Sequence, residues 1–112
     1  MIRRGEIYLV NFGRGRGSEQ EGLRPALVIQ NDQGNEYSPT TIVASMTSRR
    51  TDYDFHVPIR ARDSGLSADS TVMLEQIQTV AMGRLSRRIG ALGPDTMREV
   101  DRALHHSLGL VD

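Results

Sequence analysis

Short apolar runs, separated by polar stretches rich in turn residues, fill most of this 112-residue chain. Runs of this length that contain β-branched residues are typical of strands. The pattern predicts six strands, over residues 6–12, 25–30, 41–46, 55–59, 70–80 and 87–92. Pro25 suits the first residue of a strand, and Pro58 favours a sheet edge for the fourth strand.

The period of the apolar positions changes near the C-terminus. Pro94 follows Gly93 and precedes Asp95, an arrangement typical of a helix start, and Gly109 is a natural stop. Between them, one helical face is apolar through Met97, Val100, Leu104 and Leu108. The segment 31–40 is predicted to be turns, and 60–69 to hold one short helical turn. Short strands followed by one helix predict a mostly β (α+β) fold, a small curved barrel with a packed C-terminal helix.

Composition limits the class of protein. A chain of this length forms one domain with a single core. It has no cysteine, which excludes disulfides and thiolate metal sites. No apolar run approaches the roughly 20 residues of a membrane span, and the start has no apolar signal region, so a cytoplasmic protein without a membrane partner is expected.

The charges are balanced, with 14 cationic and 14 acidic residues, and every cation is arginine. Nucleic-acid binders are often basic overall, so the total argues mildly against one. Arginine nevertheless offers a planar fork that suits phosphate and stacks on bases. Genomic base composition explains the absence of lysine equally well, and local clusters therefore matter more than totals.

The most informative stretch, residues 17–32, changes from polar and glycine-containing to apolar. Pro25 disfavours helix for Arg24, so Arg24 is expected where a polar loop meets a rigid strand. The preceding loop, 13–17, carries Arg14 and Arg16 between glycines. It suits either a flap over an anionic ligand or an ordinary solvated loop.

The motif Gly-Ser-Glu-Gln-x-Gly-x-Arg-Pro at 17–25, with Val-Ile-Gln-Asn-Asp at 28–32, resembles the signature of MazF/PemK-type toxins. These proteins are the endoribonucleases of toxin–antitoxin pairs. Further pieces match in order, at residues 4–8, 34–35, 38–40, 42–44 leading to Thr47, and 74–77. The resemblance covers nearly all of the chain, and it implies a single toxin domain over 1–112 with an SH3-like barrel and a C-terminal helix.

The resemblance also implies an activity. It is sequence-specific cleavage of single-stranded RNA, in which the RNA's own 2′-hydroxyl attacks the adjacent phosphorus to give a 2′,3′-cyclic phosphate and a 5′-hydroxyl. Such a reaction needs an in-line strand, charge stabilisation and proton transfer, but no obligatory metal or cofactor. A homodimer and a cognate antitoxin that neutralises the enzyme are implied as well.

By resemblance, Arg24 and Thr47 are the catalytic residues. Arg24 can hold two non-bridging phosphate oxygens with parallel hydrogen bonds, and Thr47 can offer a hydroxyl to the same phosphate. Arginine does not normally give up its proton, so two roles stay open for Arg24, proton transfer and charge stabilisation alone. Glu19 is either a general base or an acceptor for a base edge.

Other matching positions are expected to bind RNA, since sequence-specific proteins read splayed, single-stranded bases. Arg14 and Arg16 are candidate phosphate contacts, and no metal ligand set is recognised. Gln78 stands where relatives often have arginine, which implies a different base preference or phosphate affinity. The expected RNA-binding residues are Ser18, Glu19, Gln20, Ser70, Glu75 and Gln76.

None of the three histidines is predicted to be catalytic. His105 and His106 are neighbours on a helix and do not converge on one ligand, and a structural role is favoured for His56 in an edge strand.

Two other functions are possible for this sequence. One rival function is a toxin of the same fold that binds a protein target such as DNA gyrase without nuclease activity. The other is a catalytically inactive binding module. The presence of both Arg24 and Thr47 favours the nuclease.

Overall fold

The computed structural model describes residues 1–14 and 22–110, and the elements below lie in these ranges. Six strands and two helices follow in the order β1 (Glu6–Asn11), β2 (Leu23–Val28), α1 (Asp32–Tyr37), β3 (Thr40–Thr47), β4 (His56–Ile59), β5 (Ser70–Ala81), β6 (Leu85–Ala91) and α2 (Pro94–Ser107). Short 3-10 turns at 61–63 and 82–84 precede β5 and β6. Within the described ranges, no helix is long and apolar enough to cross a membrane.

The strands form one antiparallel sheet in the order β4-β5-β3-β2-β1-β6. The predicted strands and the predicted mostly β architecture with a C-terminal helix are confirmed. β4, which contains Pro58, lies at an edge as predicted. No ladder joins β4 to β6 among the described residues, so closure into the predicted SH3-like barrel is not confirmed.

A loop contact, rather than strand pairing, brings the two ends of the sheet together. A Cβ added to Gly90 of β6 would lie 1.8 Å from the carbonyl oxygen of Ser64. A Cβ added to Gly65 would lie 2.4 Å from the carbonyl oxygen of Ile89, and Gly65 has a φ of +84°. The connection between β4 and β5 therefore packs backbone against backbone on β6, where only glycine fits.

Two apolar clusters cover the two faces of the curled sheet, because strand residues alternate in direction. The helix face packs against Val100 and Ala103 of α2, and the far face is its opposite. The buried strand residues of the helix face are Ile7, Leu27, Ala44, Met46, Val57, Ile59, Val72 and Leu74. Those of the far face are Val10, Ala26, Val28, Val43 and Val80, with Phe12 beside them.

The prediction of turns over residues 31–40 is wrong, because the structure has helix α1 there. The side chain of Asn31 accepts a hydrogen bond from the backbone nitrogen of Gly34 at 2.7 Å, which caps the helix. Asp32 accepts from the backbone nitrogen of Arg4 at 2.6 Å, and this hydrogen bond lowers the pKa of its carboxyl. Asn, Asp and Gly serve turns and helix caps alike, so the pattern does not separate the two.

Buried Asn35 organises this connection between β2 and β3. Its side chain donates to the carbonyl oxygen of Gln30 at 3.0 Å and accepts from the Thr41 hydroxyl at 2.6 Å. The Gln30 amide donates in turn to Asn35 at 3.1 Å and to the carbonyl oxygen of Thr40 at 3.0 Å. The last residues before α1 and the first of β3 are thus joined through one side chain.

Gly90→Ala is expected to lower the free energy of unfolding by about 1–3 kcal/mol, because its Cβ overlaps the Ser64 carbonyl oxygen. Gly83→Ala is the matched control, since a Cβ there meets no atom within 4 Å. Denaturant unfolding of both variants checks this. Equal stabilities would contradict the edge-to-edge contact.

Candidate functional site

The two predicted catalytic residues lie on adjacent strands, Arg24 on β2 and Thr47 on β3. The β2–β3 ladder pairs Ala26 with Ser45. Continued by two residues towards the start of β2, this register places Arg24 opposite Thr47. Opposed residues on neighbouring strands have Cβ atoms about 4.5–5.5 Å apart and project from the same face. By this continuation, the two side chains would project from the same face of neighbouring strands.

The pair belongs to a row that crosses the sheet. Arg24 is opposed by Val10 on β1, and Thr47 is opposed by Thr71 on β5, which also faces Pro58 on β4. Alternation puts this row on the far face, away from α2, because Val10 belongs to the far-face cluster. Arg24 is exposed at the start of its strand and Thr47 is half-buried at the end of its strand.

The hydroxyl of Thr47 is held by the segment that follows it. Its Oγ1 accepts a hydrogen bond from the backbone nitrogen of Arg49 at 3.2 Å. The buried Thr71 hydroxyl donates to the carbonyl oxygen of Arg49 at 3.0 Å, which fixes that residue to β5. Because the Thr47 oxygen is the acceptor, its own proton can be donated to a phosphate oxygen.

A cavity of about 500 Å³ lies between the β3–β4 loop (residues 48–55) and the start of β5. Ser70, one of the predicted RNA-binding residues, lines it, and its hydroxyl donates to the carbonyl oxygen of Ala68 at 3.0 Å. Guanidinium groups in such a cavity suit a phosphate, since they present forked donors. The charged residues of the lining are Arg49, Arg50, Arg60, Asp52 and Asp69.

Glu75 and Gln76 lie in an irregular part of β5. Ala44 pairs with Ile77, but Met46 pairs with Val72, so residues 73–76 are opposed by a single residue of β3. Such a bulge bends a strand and redirects its side chains. Of the two predicted RNA-binding residues here, Glu75 is exposed and Gln76 is half-buried.

His56 is the site residue that the sequence analysis undervalued. Its Nε2 lies 2.8 and 2.9 Å from the two carboxylate oxygens of Glu75, and its Nδ1 is hydrogen-bonded to the Thr51 hydroxyl. Tyr53 and Phe55 pack edge-on against the imidazole, with ring centroids 5.1 and 5.0 Å away. The sequence offered no signal for this contact, because the β4–β5 register that brings His56 diagonal to Glu75 is set only when the two strands pair.

A further arginine joins the base of the β1–β2 connection. Arg84 donates to the carbonyl oxygen of Asn11 at 3.0 Å, close to Gly13, and the predicted phosphate contact Arg14 is exposed nearby in sequence. Arg84 follows a glycine in an unremarkable segment, so the sequence offered no signal for it. Four predicted contacts lie outside the described residues, namely Arg16, Ser18, Glu19 and Gln20.

The remaining histidines lie on α2, and His106 lines a separate cavity of about 210 Å³ together with His56 and Pro58. His105 and His106 are exposed in the last turn of α2, and His105 Nδ1 lies 2.9 Å from the carbonyl oxygen of Asp101. Among residues 1–14 and 22–110, no three His, Cys, Asp or Glu side chains are grouped in a way that could hold a metal ion.

Comparison with known proteins identifies the family. The sequence model of the PemK-like, MazF-like toxins of type II toxin–antitoxin systems matches residues 3–108. The chain belongs to this family. The match covers every strand and both helices, including Arg24, Thr47 and His56.

Solved structures agree with the assignment of this MazF-like toxin. MazF from Deinococcus radiodurans is 26% identical with a TM-score of 0.81, over 96% of each chain. A MazE–MazF structure from the same organism gives 27% identity and a TM-score of 0.78, over 98% of this chain and 97% of the other. An endoribonuclease from Mycobacterial species, in complex with its cognate antitoxin, is 24% identical with a TM-score of 0.82 and shares the fold over 100% and 99% of the two chains.

Thr71→Val is expected to destabilise the toxin by about 1 kcal/mol, because it removes the hydroxyl that donates to Arg49 and keeps the shape of the side chain. Thr79→Val, at an exposed position of the same strand, should stay within about 0.5 kcal/mol of wild type. Denaturant unfolding of the two variants measures the difference. Equal stabilities would show that the Thr71 bond does not anchor the β3–β4 loop.

Proposed function

We propose that this toxin is a metal-independent endoribonuclease that cuts single-stranded RNA at preferred sequences by attack of the 2′-hydroxyl. The observation that supports the proposal is the β2–β3 register, in which a continuation by two residues would set Arg24 opposite Thr47 on the far face. Family membership and the likeness to endoribonuclease toxins support the same activity.

Each side chain has a part in the proposed reaction. The 2′-oxygen forms a bond to phosphorus, the bond to the 5′-oxygen breaks, and charge accumulates on the non-bridging oxygens. The Arg24 guanidinium donates two parallel hydrogen bonds to those oxygens, and the Thr47 hydroxyl donates a third. The proton of the 2′-hydroxyl passes to a general base, for which Glu19 is our candidate, and the leaving 5′-oxygen gains a proton.

The RNA strand is proposed to run across the far face from the β1–β2 connection to the cavity beside β5. Arg14, Arg16 and Arg84 contact phosphates at one end, and Ser70 contacts the strand in the cavity. Bases splayed from the strand are read by side chains with both donors and acceptors. These are proposed to be Ser18, Glu19, Gln20, Glu75 and Gln76.

The partners follow from the same proposal. A cognate antitoxin is proposed because structures of similar toxins contain one. We further propose that the 112 residues act as one domain, that two copies form a homodimer, and that the toxin acts in the cytoplasm, where its mRNA substrate is found.

Cleavage is expected to persist in excess EDTA, since the RNA supplies the nucleophile and the protein supplies charge stabilisation. A 2′-deoxy substitution at the scissile nucleotide should abolish cleavage and leave binding largely intact. End-mapping on a long, lightly structured RNA identifies the site and the 2′,3′-cyclic phosphate. Activity that is lost in EDTA and restored by Mg²⁺ would contradict the mechanism, and a folded wild type that cuts no RNA would favour a toxin with a protein target.

Arg24→Lys is expected to lower the single-turnover rate by about 10²–10³-fold, because lysine keeps the charge but loses the fork. RNA affinity should weaken much less, since other groups hold the bases. The melting temperature should barely change for an exposed strand-end residue. Arg98→Lys, on exposed α2 surface, is the matched control. A folded Arg24→Lys variant that cuts at nearly the wild-type rate would remove Arg24 from catalysis.

A further inference from the structure

The β3–β4 loop (residues 48–55) is attached to β5 at three points. The carbonyl oxygen of Arg49 accepts from the Thr71 hydroxyl, and the carbonyl oxygen of Phe55 accepts from the backbone nitrogen of Leu74 at 2.9 Å. The middle of the loop is reached only through a side chain, because Thr51 is hydrogen-bonded to His56. His56 in turn contacts Glu75 in the β5 bulge.

We propose that His56 is a positioning residue of the cleavage site, and that its imidazole pins Thr51 of the β3–β4 loop to Glu75. The pinned loop holds Arg49 and Arg50 at the cavity where RNA phosphates bind. This inference rests on the proposed function, since it assigns the cavity to the RNA substrate.

The chemistry of the imidazole explains why it can serve as a pin. Nε2 faces a carboxylate, which only accepts, so Nε2 carries a hydrogen and donates to Glu75. The Thr51 hydroxyl then donates to Nδ1 when the ring is neutral and accepts from it when the ring is protonated. Because a hydroxyl can do both, the link between loop and strand survives in either state of His56.

His56 lines the cavity, but low exposure and bonding of both ring nitrogens favour a positioning role over direct contact with RNA. The order of hydroxyl, imidazole and carboxylate is one that enzymes use to activate a nucleophile. Here, however, the His56 side chain is only 4% exposed, and Tyr53 and Phe55 pack against its edge. Loss of either hydrogen bond would leave a buried ring nitrogen without a partner, which costs free energy. The arrangement therefore favours one loop conformation.

The contact between His56 and Thr51 also affects the hydroxyl of Thr47. The backbone nitrogen of Arg49 donates to Thr47 Oγ1, so the start of the loop sets the orientation of the Thr47 side chain. Arg49 is two residues from Thr51, the residue that His56 holds. A loop that is released at Thr51 leaves Arg49 held by the Thr71 bond alone, so the Thr47 hydroxyl is oriented less tightly.

The test is Thr51→Val, which removes the hydroxyl and keeps the shape. The single-turnover rate at saturating RNA, measured well below the melting temperature, should fall about tenfold or more, as small misplacements of reacting groups do. RNA affinity should weaken, and its salt dependence should decrease by about one phosphate contact for each arginine displaced. Thr51→Ser should restore both quantities, and Thr96→Val, on α2, should change neither.

Two substitutions of His56 separate the two halves of the pin. In the His56→Gln variant, the side-chain amide lies near the position that Nε2 has in the wild type, so it keeps the contact with Glu75. The amide of His56→Asn stands near Nδ1 and keeps the contact with Thr51. Both variants should cut more slowly than wild type, because the pin needs both contacts. A His56→Gln variant with the full wild-type rate would overturn the role assigned to Thr51.

Amide hydrogen exchange without RNA makes the outcomes distinguishable. Thr51→Val should speed exchange across residues 48–53 and leave the β5 core unchanged. Unchanged exchange in the loop would overturn the pin. Suppose that the wild type cuts RNA, and that Thr51→Val melts at a lower temperature but cuts at the same rate. This result would overturn the inference alone, since the bond would then only stabilise the fold. A wild type that cuts no RNA would overturn the proposed function, while the exchange result would still decide whether the loop is pinned.

Discussion

The pairing of β2 with β3 is the constraint on which the rest of the structure depends. A slip of one residue between these strands would turn Thr47 to the helix face and separate it from Arg24. Two features of the chain oppose such a slip. The apolar residues of both strands fit opposite clusters in only one register, and buried Asn35 joins Gln30 at one end of the connection to Thr41 at the other. The polar network around Asn35, although it lies away from the candidate site, therefore determines where the candidate catalytic residues meet.

Some residues shape the fold and others form the candidate site, which explains why the family resemblance extends along the chain. The pieces around Gln30, Asn35 and Thr40 bond to one another and shape the connection, whereas Arg24 and Thr47 are on the far face of neighbouring strands. A matching tripeptide can thus belong to the scaffold or to the site, and sequence similarity alone does not tell the two apart. The structure separates them by position, because the scaffold residues join β2 to β3 through buried Asn35, whereas Arg24 and Thr47 are at strand ends on the far face.

The sequence allowed the prediction of those features that depend on local pattern. Short apolar runs bounded by turn residues predicted the six strands, the helical spacing of apolar positions predicted α2, and Pro58 predicted an edge strand. Helix α1 was missed because Asn31 and its neighbours suit a turn as well as a cap. The bulge near Glu75, the approach of Gly90 to Ser64 and the bond from His56 to Glu75 escaped prediction for another reason. Each depends on a register or a curvature that is set only when distant strands pair.

The charge distribution reconciles a neutral protein with the polyanionic substrate that we propose. Salt screens exposed charges beyond about 8 Å at physiological ionic strength, so a net charge of zero says little about a local site. Away from the cavity, some arginines are paired with carboxylates, in Arg4–Asp101, Arg88–Glu6 and Arg98–Asp95. At the cavity, arginines and aspartates share the lining, so attraction of RNA depends on where each guanidinium points rather than on how many there are. Arginine forks bind phosphate well only in a fixed geometry, and this is why rigid strand ends and a loop tied to His56 matter more to this site than a surplus of positive charge.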